Sequence, residues 1–324
     1  MTRIVAIDIG GTNARFTIAE IGDNTAITLG ETVTLHTSDY ASFQTAWEAY
    51  SADQKDKLPP ACAISIAGPI GGDVIHFTNN PWIIRPALIP EKLGVERFTL
   101  VNDFGAVGHA VARMSDCDFI HLCGPDEPLP ADGTLTIVGP GTGLGVAHLW
   151  RDGTGGYRVQ ATEGGHIDFA PLDSIEDAIL ARLRQRYRRV SVERVVAGPA
   201  IVDIYETLAA LEAKAIQLAD DKAIWTAATM GEDSLAAAAA ERFCLSLGSV
   251  AGDLALAQGA SGVVIAGGLG LRIRDTLLGS GFAQRFRAKG RFEALMAELP
   301  VKIITHPQPG LFGAAAAFAQ EHPA

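Results

Sequence analysis

The stretch "VAIDIGGTNARF" at residues 5–16 sets one acid, Asp8, inside an apolar run and follows it with Gly10, Gly11, Thr12 and Asn13. Glycine has no Cβ, so the N–H groups of such a turn can approach a ligand closely and form a concavity for an anion. An aspartate beside a bound phosphate would repel it unless a cation lies between them. Mg2+, which favours oxygen ligands and keeps several waters, suits that place. A second reading stays open: a buried Asp8 that only caps its own turn through backbone amides. A further glycine turn, "GPGTGLG" at 139–145, offers Gly141, Thr142 and Gly143 for the same work. In "TEGGH" at 162–166, Gly164 and Gly165 let Glu163 and His166 converge on one small target, although a lone histidine is more often a structural group.

The elements that must hold these residues alternate between strand and helix. Residues 3–9 and 15–21 read as a hairpin closed by the 10–13 turn. "TVTLHT", "ACAISIAG" and "FTLVND" read as strands, while "YASFQTAWEAYSA", "PALIPEKLG" and "FGAVGHAVARM" read as helices. The order then restarts. "TLTIVGPGTGLGVAHLW" is again strand, glycine turn, strand; helices follow over about 174–188 and from Asp233 to a stop at Gly259. "GVVIAGGLG" is a strand running into a glycine turn, "VKIITH" a late strand and "LFGAAAAFAQEH" a terminal helix. Gly11-Thr12 and Gly141-Thr142 hold the same place in their turns, whereas Asp8 falls opposite Val138. Two copies of one α/β architecture, of which one carries the acid, predict two lobes with unequal roles around a shared cleft.

Composition narrows the classes. A chain of 324 residues, 48% hydrophobic, can bury large cores and has the length of two domains. A charged fraction of 19% excludes disorder. The net charge of -11 opposes non-specific binding to nucleic acid or to anionic membranes. Cys62, Cys117, Cys123 and Cys244 are scattered, without C-x-x-C or histidine at ligand spacing, so neither a disulfide scaffold nor a zinc site is indicated. Leu254–Leu271 lacks charge for 18 residues but contains five glycines, so it reads as helix end, turn and strand rather than a membrane span. Met1-Thr2-Arg3 runs straight into the first strand, which points to a cytoplasmic protein without a leader. The basic run "RLRQRYRR" at 182–189 reads as a solvated helix face, and Gly248 and Gly252, one turn apart, as a site of close helix packing. No Gly-Lys pair, G-x-G-x-x-G or G-x-S-x-G exists, which removes the P-loop, the dinucleotide fold and the hydrolase elbow.

In order along the chain, "DIGGTN" at 8–13, "VND" at 101–103, "GPGTGLG", "TEGGH", "VERVVAGP" at 192–199 and "IAGG" at 265–268 resemble the bacterial glucokinase family, within the actin/hexokinase/Hsp70-like ATPase superfamily. The likeness continues to "PGLFGAAAAF" at 309–318. Bacterial sugar kinases of the repressor/open-reading-frame/kinase type carry a cysteine-rich zinc motif that this chain lacks. The resemblance implies two RNase H-like lobes with an interlobe active-site cleft. Residues 1–113 and 306–324 would form the smaller lobe, and 114–305 the larger, with most nucleotide contacts. It implies ATP-dependent phosphorylation of D-glucose to glucose 6-phosphate, with Mg2+ bridging the phosphates and a homodimer as the common assembly. Asp8, Ile9, Gly10, Gly11, Thr12 and Asn13 match the family's first phosphate loop, with Asp8 near the metal, through water. Gly141, Thr142 and Gly143 match the second, and Gly267 and Gly268 the adenosine motif. Asn102, Asp103, Glu163, His166 and Glu193 match the sugar contacts, and Asp103 the catalytic base. A kinase of mannose or fructose is the alternative within this class. Outside it stand a non-catalytic sugar sensor and a chaperone or filament-type ATPase, for which Asn102, Glu163 and His166 would have no purpose.

Overall fold

The computed structural model describes residues 1–23, 26–77 and 80–323. The chain divides into two compact units. The first comprises Met1–Met114, Val159–Ala161 and His306–Ala324, and the second Ser115–Arg158 and Thr162–Thr305.

The first unit is built on strands β1 (Thr2–Ile9), β2 (Asn13–Ile21), β3 (Ile27–Leu29), β4 (Val33–His36) and β5 (Ala61–Ile66). A small ribbon of β6 (Ile75–His76) and β7 (Ile83–Ile84) precedes β8 (Arg97–Asn102). Its main sheet has the order β3-β2-β1-β5-β8, with β4 also on β2. β1 and β2 form the antiparallel hairpin, while β5 and β8 run parallel to β1. Side chains alternate along β1. Val5, Ile7 and Ile9 enter a core with Phe16, Phe43, Tyr50 and Trp82, where Phe16 stacks on Tyr50 at 4.9 Å between ring centroids. Ile4 and Ala6 face the other way, onto Leu311, Ala314 and Phe318 of the terminal helix Pro309–Glu321. Asp8 continues that second face. Register sets Asp8 opposite Arg15 on one side and Ser65 on the other, and Ile66 opposite Asn102. The carboxyl ends of the parallel strands therefore gather Asp8, Ser65 and Asn102, at the edge where open α/β sheets bind ligands.

The second unit contains β9 (Phe119–Cys123), β10 (Asp132–Pro140), β11 (Leu144–Asp152), β12 (Tyr157–Thr162), β13 (Gly262–Ile265) and β14 (Val301–Ile304). These lie in the order β12-β11-β10-β13-β14-β9. β10 and β11 repeat the hairpin, with β13 parallel to β10. The long helix Ser234–Ala257 starts on Asp233, whose side chain accepts from the Ala236 amide, and ends before Gly259 at φ +59°. A side chain at Gly248 or Gly252 would strike the carbonyls of Phe282 and Phe286, so these glycines allow the helix Phe282–Arg287 to lie close. Leu254–Leu271 is the end of one helix, the Gly259 turn, strand β13 and the start of another helix. No helix among the described residues is long and apolar enough to cross a membrane.

Four details differ from the sequence reading. "FTLVND" stops as a strand at Asn102, because the Asn102 side chain accepts from the amides of Phe104 and Gly105 and starts a helix at Asp103. "AGGLG" is the helix Gly267–Arg272 rather than a turn. The helix expected to reach residue 188 ends at Arg184. The last parallel rung pairs Ile9 with Ile66 and Val138 with Ile265, so Asp8 corresponds to Ile137 rather than Val138. The second hairpin pairs on to Pro140–Leu144 before it turns, which accounts for the offset. The basic run is solvated as its charge suggests, with Arg184, Arg186, Arg188 and Arg189 exposed, and it is also paired with acids: Arg182 with Glu206, Arg186 with Asp203 and Arg189 with Asp168.

Candidate active site

In the first unit the turn is closed by the Gly10 amide donating to the Asn13 carbonyl at 2.9 Å. β4 runs beside β2 up to Asn13–His36, which delivers the next residue, Thr37, to the back of the turn. Its amide donates to the Thr12 carbonyl at 2.9 Å and its Oγ1 to the Gly11 carbonyl at 2.8 Å. Asn80 Nδ2 reaches the Gly10 carbonyl at 3.4 Å. The amides of Gly11 and Thr12 have no acceptor among the described residues, so they are available to an anion.

Asp8 accepts from Ser65 Oγ at 3.0 Å and from Arg15 Nη1 at 3.2 Å. Gly310, in the first turn of the terminal helix, is so close that a methyl group there would sit 3.0 Å from the carboxyl carbon. The aspartate thus faces the positive end of a helix. Burial pushes its pKa up, against the lowering pull of Arg15 and Ser65. Its hydrogen-bond partners are side chains of neighbouring strands rather than amides of its own turn, so the capping alternative does not describe it. Among the described residues no group of three or more His, Cys, Asp or Glu could hold a metal. A single carboxylate, 21% exposed, fits a cation that brings its other ligands as water and phosphate, as Mg2+ does.

Asn102 donates through Nδ2 to the Gly68 carbonyl at 3.0 Å, while its Oδ1 caps the helix Asp103–Arg113. Three of its four hydrogen-bonding positions are used, and one Nδ2 hydrogen remains for a ligand. Asp103 is the first residue of that helix, half-buried, with Oδ1 accepting from the Phe104 amide.

The second unit repeats the arrangement of the turn. The Gly141 amide donates to the Gly143 carbonyl at 2.8 Å, and the Gly198 amide ties the Gly141 carbonyl from behind at 2.7 Å. Glu193 Oε2 accepts from the Leu144 amide at 3.0 Å. The amides of Thr142 and Gly143 have no acceptor among the described residues. Gly267, at φ +80°, lies against the Pro140 carbonyl, where a side chain would come within 2.6 Å. Gly141 and Gly268 face open space.

The glycines of "TEGGH" are needed for contact with β11: side chains there would strike Val146 and the Leu144 carbonyl. In the tight turn Gly164–His166, Glu163 Oε2 and His166 Nε2 lie 3.9 Å apart, both largely exposed. The following residues are laced to those before Glu193, with Val192 donating to Ile167 at 2.9 Å and Phe169 to Val190 at 3.1 Å. Glu163, His166, Glu193 and the Gly141–Gly143 turn are thereby held around the start of β11. Asp8 to Asn13, Asn102 and Asp103 belong to the first unit, and the remaining candidates to the second.

Sequence reasoning gave no role to Arg15, Ser65, Thr37 or Gly198. Arg15 was legible, because the hairpin register alone places it opposite Asp8. The others come from distant segments and carry no local signal.

The glucokinase family model matches residues 5–321. The chain belongs to the glucokinase family. It is 59% identical to a glucokinase of Zymomonas mobilis over 98% of each chain, and 40% identical to one of Caulobacter vibrioides over 97% of this chain and 94% of that one. A crystal structure of glucokinase from an Antarctic psychrotroph superposes with a TM-score of 0.86 at 31% identity, covering 99% of both chains. As a member of the glucokinase family the chain is an ATP-dependent sugar kinase with an α/β fold.

Proposed function

We propose that this enzyme phosphorylates D-glucose to glucose 6-phosphate, with Asp103 as the general base and the two glycine turns as the phosphate cradle. Phosphoryl transfer passes through a loose transition state, so the protein's work is to position groups and neutralise charge. Asp103 accepts the proton of the attacking hydroxyl. Asn102, Glu163, His166 and Glu193 supply partners for the other hydroxyls: carboxylates accept, the remaining Asn102 hydrogen donates, and the imidazole does one of each. The amides of Gly11 and Thr12, and those of Thr142 and Gly143, bind phosphate oxygens; Gly268, which faces open space, leaves room for adenosine, and Gly267 packs beneath the Pro140 carbonyl to place it there. Asp8 would hold Mg2+, with water as the intermediary, and the ion would neutralise the phosphates. A homodimer, as the resemblance implies, is a matter for light scattering.

One observation carries this reading: both turns leave two successive amides without an acceptor while their carbonyls are tied from behind. A panel of hexoses at equal concentration with MgATP tests it. Glucose-dependent ADP release, with mannose and fructose weaker, is the expected outcome; ADP release indifferent to every sugar would overturn it.

A further inference from the structure

The two glycine turns are fixed from behind by different means. In the second, a backbone amide, that of Gly198, holds the Gly141 carbonyl. In the first, the Thr37 amide holds the Thr12 carbonyl, and side chains hold the two before it: Thr37 Oγ1 the Gly11 carbonyl and Asn80 Nδ2 the Gly10 carbonyl. A trans peptide is planar, with its C=O and N–H pointing in opposite directions. Drawing the Gly11 carbonyl backwards therefore aims the Thr12 amide forwards, and drawing the Gly10 carbonyl back does the same for Gly11. Glycine passes readily between φ regions, so an unclamped Gly10-Gly11 pair could turn these peptides over. Thr37 is 5% exposed and Asn80 7%, although both are polar. Asn80 is itself oriented by the Trp82 amide, which donates to its Oδ1 at 2.9 Å.

We propose that Thr37 is a positioning residue for the nucleotide: its hydroxyl holds the Gly11 carbonyl so that the Thr12 amide meets a phosphate oxygen, with Asn80 acting likewise on the Gly11 amide. The proposal rests on the reading of this turn as a phosphate site and adds the residue that orients it. Thr37 is buried with its hydroxyl committed to the Gly11 carbonyl, so its loss would act on ATP through the turn and leave the sugar contacts alone.

Thr37→Val keeps the shape and the backbone amide but removes the hydroxyl donor. The expected result is a rise of about tenfold or more in KM for MgATP, the cost of an unaimed amide and an unsatisfied carbonyl, with KM for glucose unchanged. Thr37→Ser, which restores the donor, should bring the ATP KM back towards that of the parent. Equal changes in both KM values without rescue by serine would reduce Thr37 to a structural residue and overturn the proposal. Thr12→Asp, on the exposed tip of the turn, separates the two ideas by adding a negative charge beside the phosphate. If Thr12→Asp raises the ATP KM and Thr37→Val does not, the positioning role fails while the phosphate site stands; if neither moves it, both fail.

Discussion

The amide of Leu144 donates to the carboxylate of Glu193 at 3.0 Å, joining the residue that follows the second glycine turn to the first residue of a short helix. The family resemblance offers Glu193 as a sugar contact. The structure gives one of its oxygens a second task, since Oε2 also fills the space beside Gly143 that any larger residue would need. Removing the carboxylate strips the Leu144 amide of its acceptor. Hydrogen bonds to charged groups contribute about 1.5–3 kcal/mol, so Glu193→Ala should lower kcat/KM for MgATP by roughly 10- to 100-fold. Steady-state kinetics with each substrate varied in turn check this. A rise confined to the glucose KM would show that the bond to Leu144 has no part in catalysis.

Asp8 combines its proposed place beside the metal with a thermodynamic cost. Burial raises its pKa, so the folded state binds its proton more readily than the unfolded chain does. Stability from this group is then greatest at low pH and declines as pH rises through the folded-state pKa. Asp8→Asn removes the buried charge. With metal chelated, its melting temperature at neutral pH should equal or exceed that of the parent, while turnover with MgATP falls sharply. A variant that loses stability and keeps activity would contradict both statements.

Asp103→Ala removes the proposed base from the start of its helix. Loss of a general base costs about 10^2–10^4-fold in rate, so kcat should fall by that factor while glucose binding, followed by calorimetry, persists. Turnover near that of the parent would remove Asp103 from the mechanism.

Gly313 lies where the terminal helix crosses the helix Asp103–Arg113, and a side chain there would be driven into the Ala106 carbonyl. Gly313→Ala must push the helices apart. Overpacking of this kind costs about 1–3 kcal/mol, to be read in urea denaturation. Because the displaced partner carries Asp103, kcat should fall as well. Unchanged stability would mean that the contact relaxes freely.

His109, on the same helix, has its pKa lowered to about 4 by burial, with Arg113 adding to the effect. The unfolded chain takes up this proton near pH 6.5 and the folded chain only near 4, so stability is present above 6.5 and lost as pH falls. The shift corresponds to a loss on the order of 3 kcal/mol across that window. His109→Gln should flatten the dependence of stability on pH between about 6.5 and 4. An unaltered slope would assign the acid sensitivity to other groups.

How much of this was readable beforehand differs from residue to residue. The strands announced themselves, because β1, β5 and β13 are apolar runs bounded by glycine or proline, and the hairpin repeat exposed the internal duplication. The glycine turns were legible for the same reason: few other residues tolerate such close approaches. Boundaries were less so. The cap by Asn102 decides that Asp103 begins a helix, and a cap competes with strand propensity over a single residue. Gly267 was read as a turn because glycine weakens helices, yet packing beneath the Pro140 carbonyl leaves no room for anything else. The family likeness marks Glu193, but its bond to the Leu144 amide was not legible, because the two residues are 49 positions apart. Thr37 and Ser65 were silent for that reason too. Each is a small hydroxyl whose importance lies in what the sheet register places beside it.

The terminal helix Pro309–Glu321 packs against β1, which begins at Thr2, and its first turn meets Asp8. During synthesis the acid near the start of the chain must therefore wait for some three hundred residues before its helix emerges from the ribosome. The second unit, whose segments lie inside this span, can become compact earlier. A released chain truncated just before residue 309 would keep every segment of the second unit while its first sheet stayed bare on one face, and chaperones would find their apolar target there.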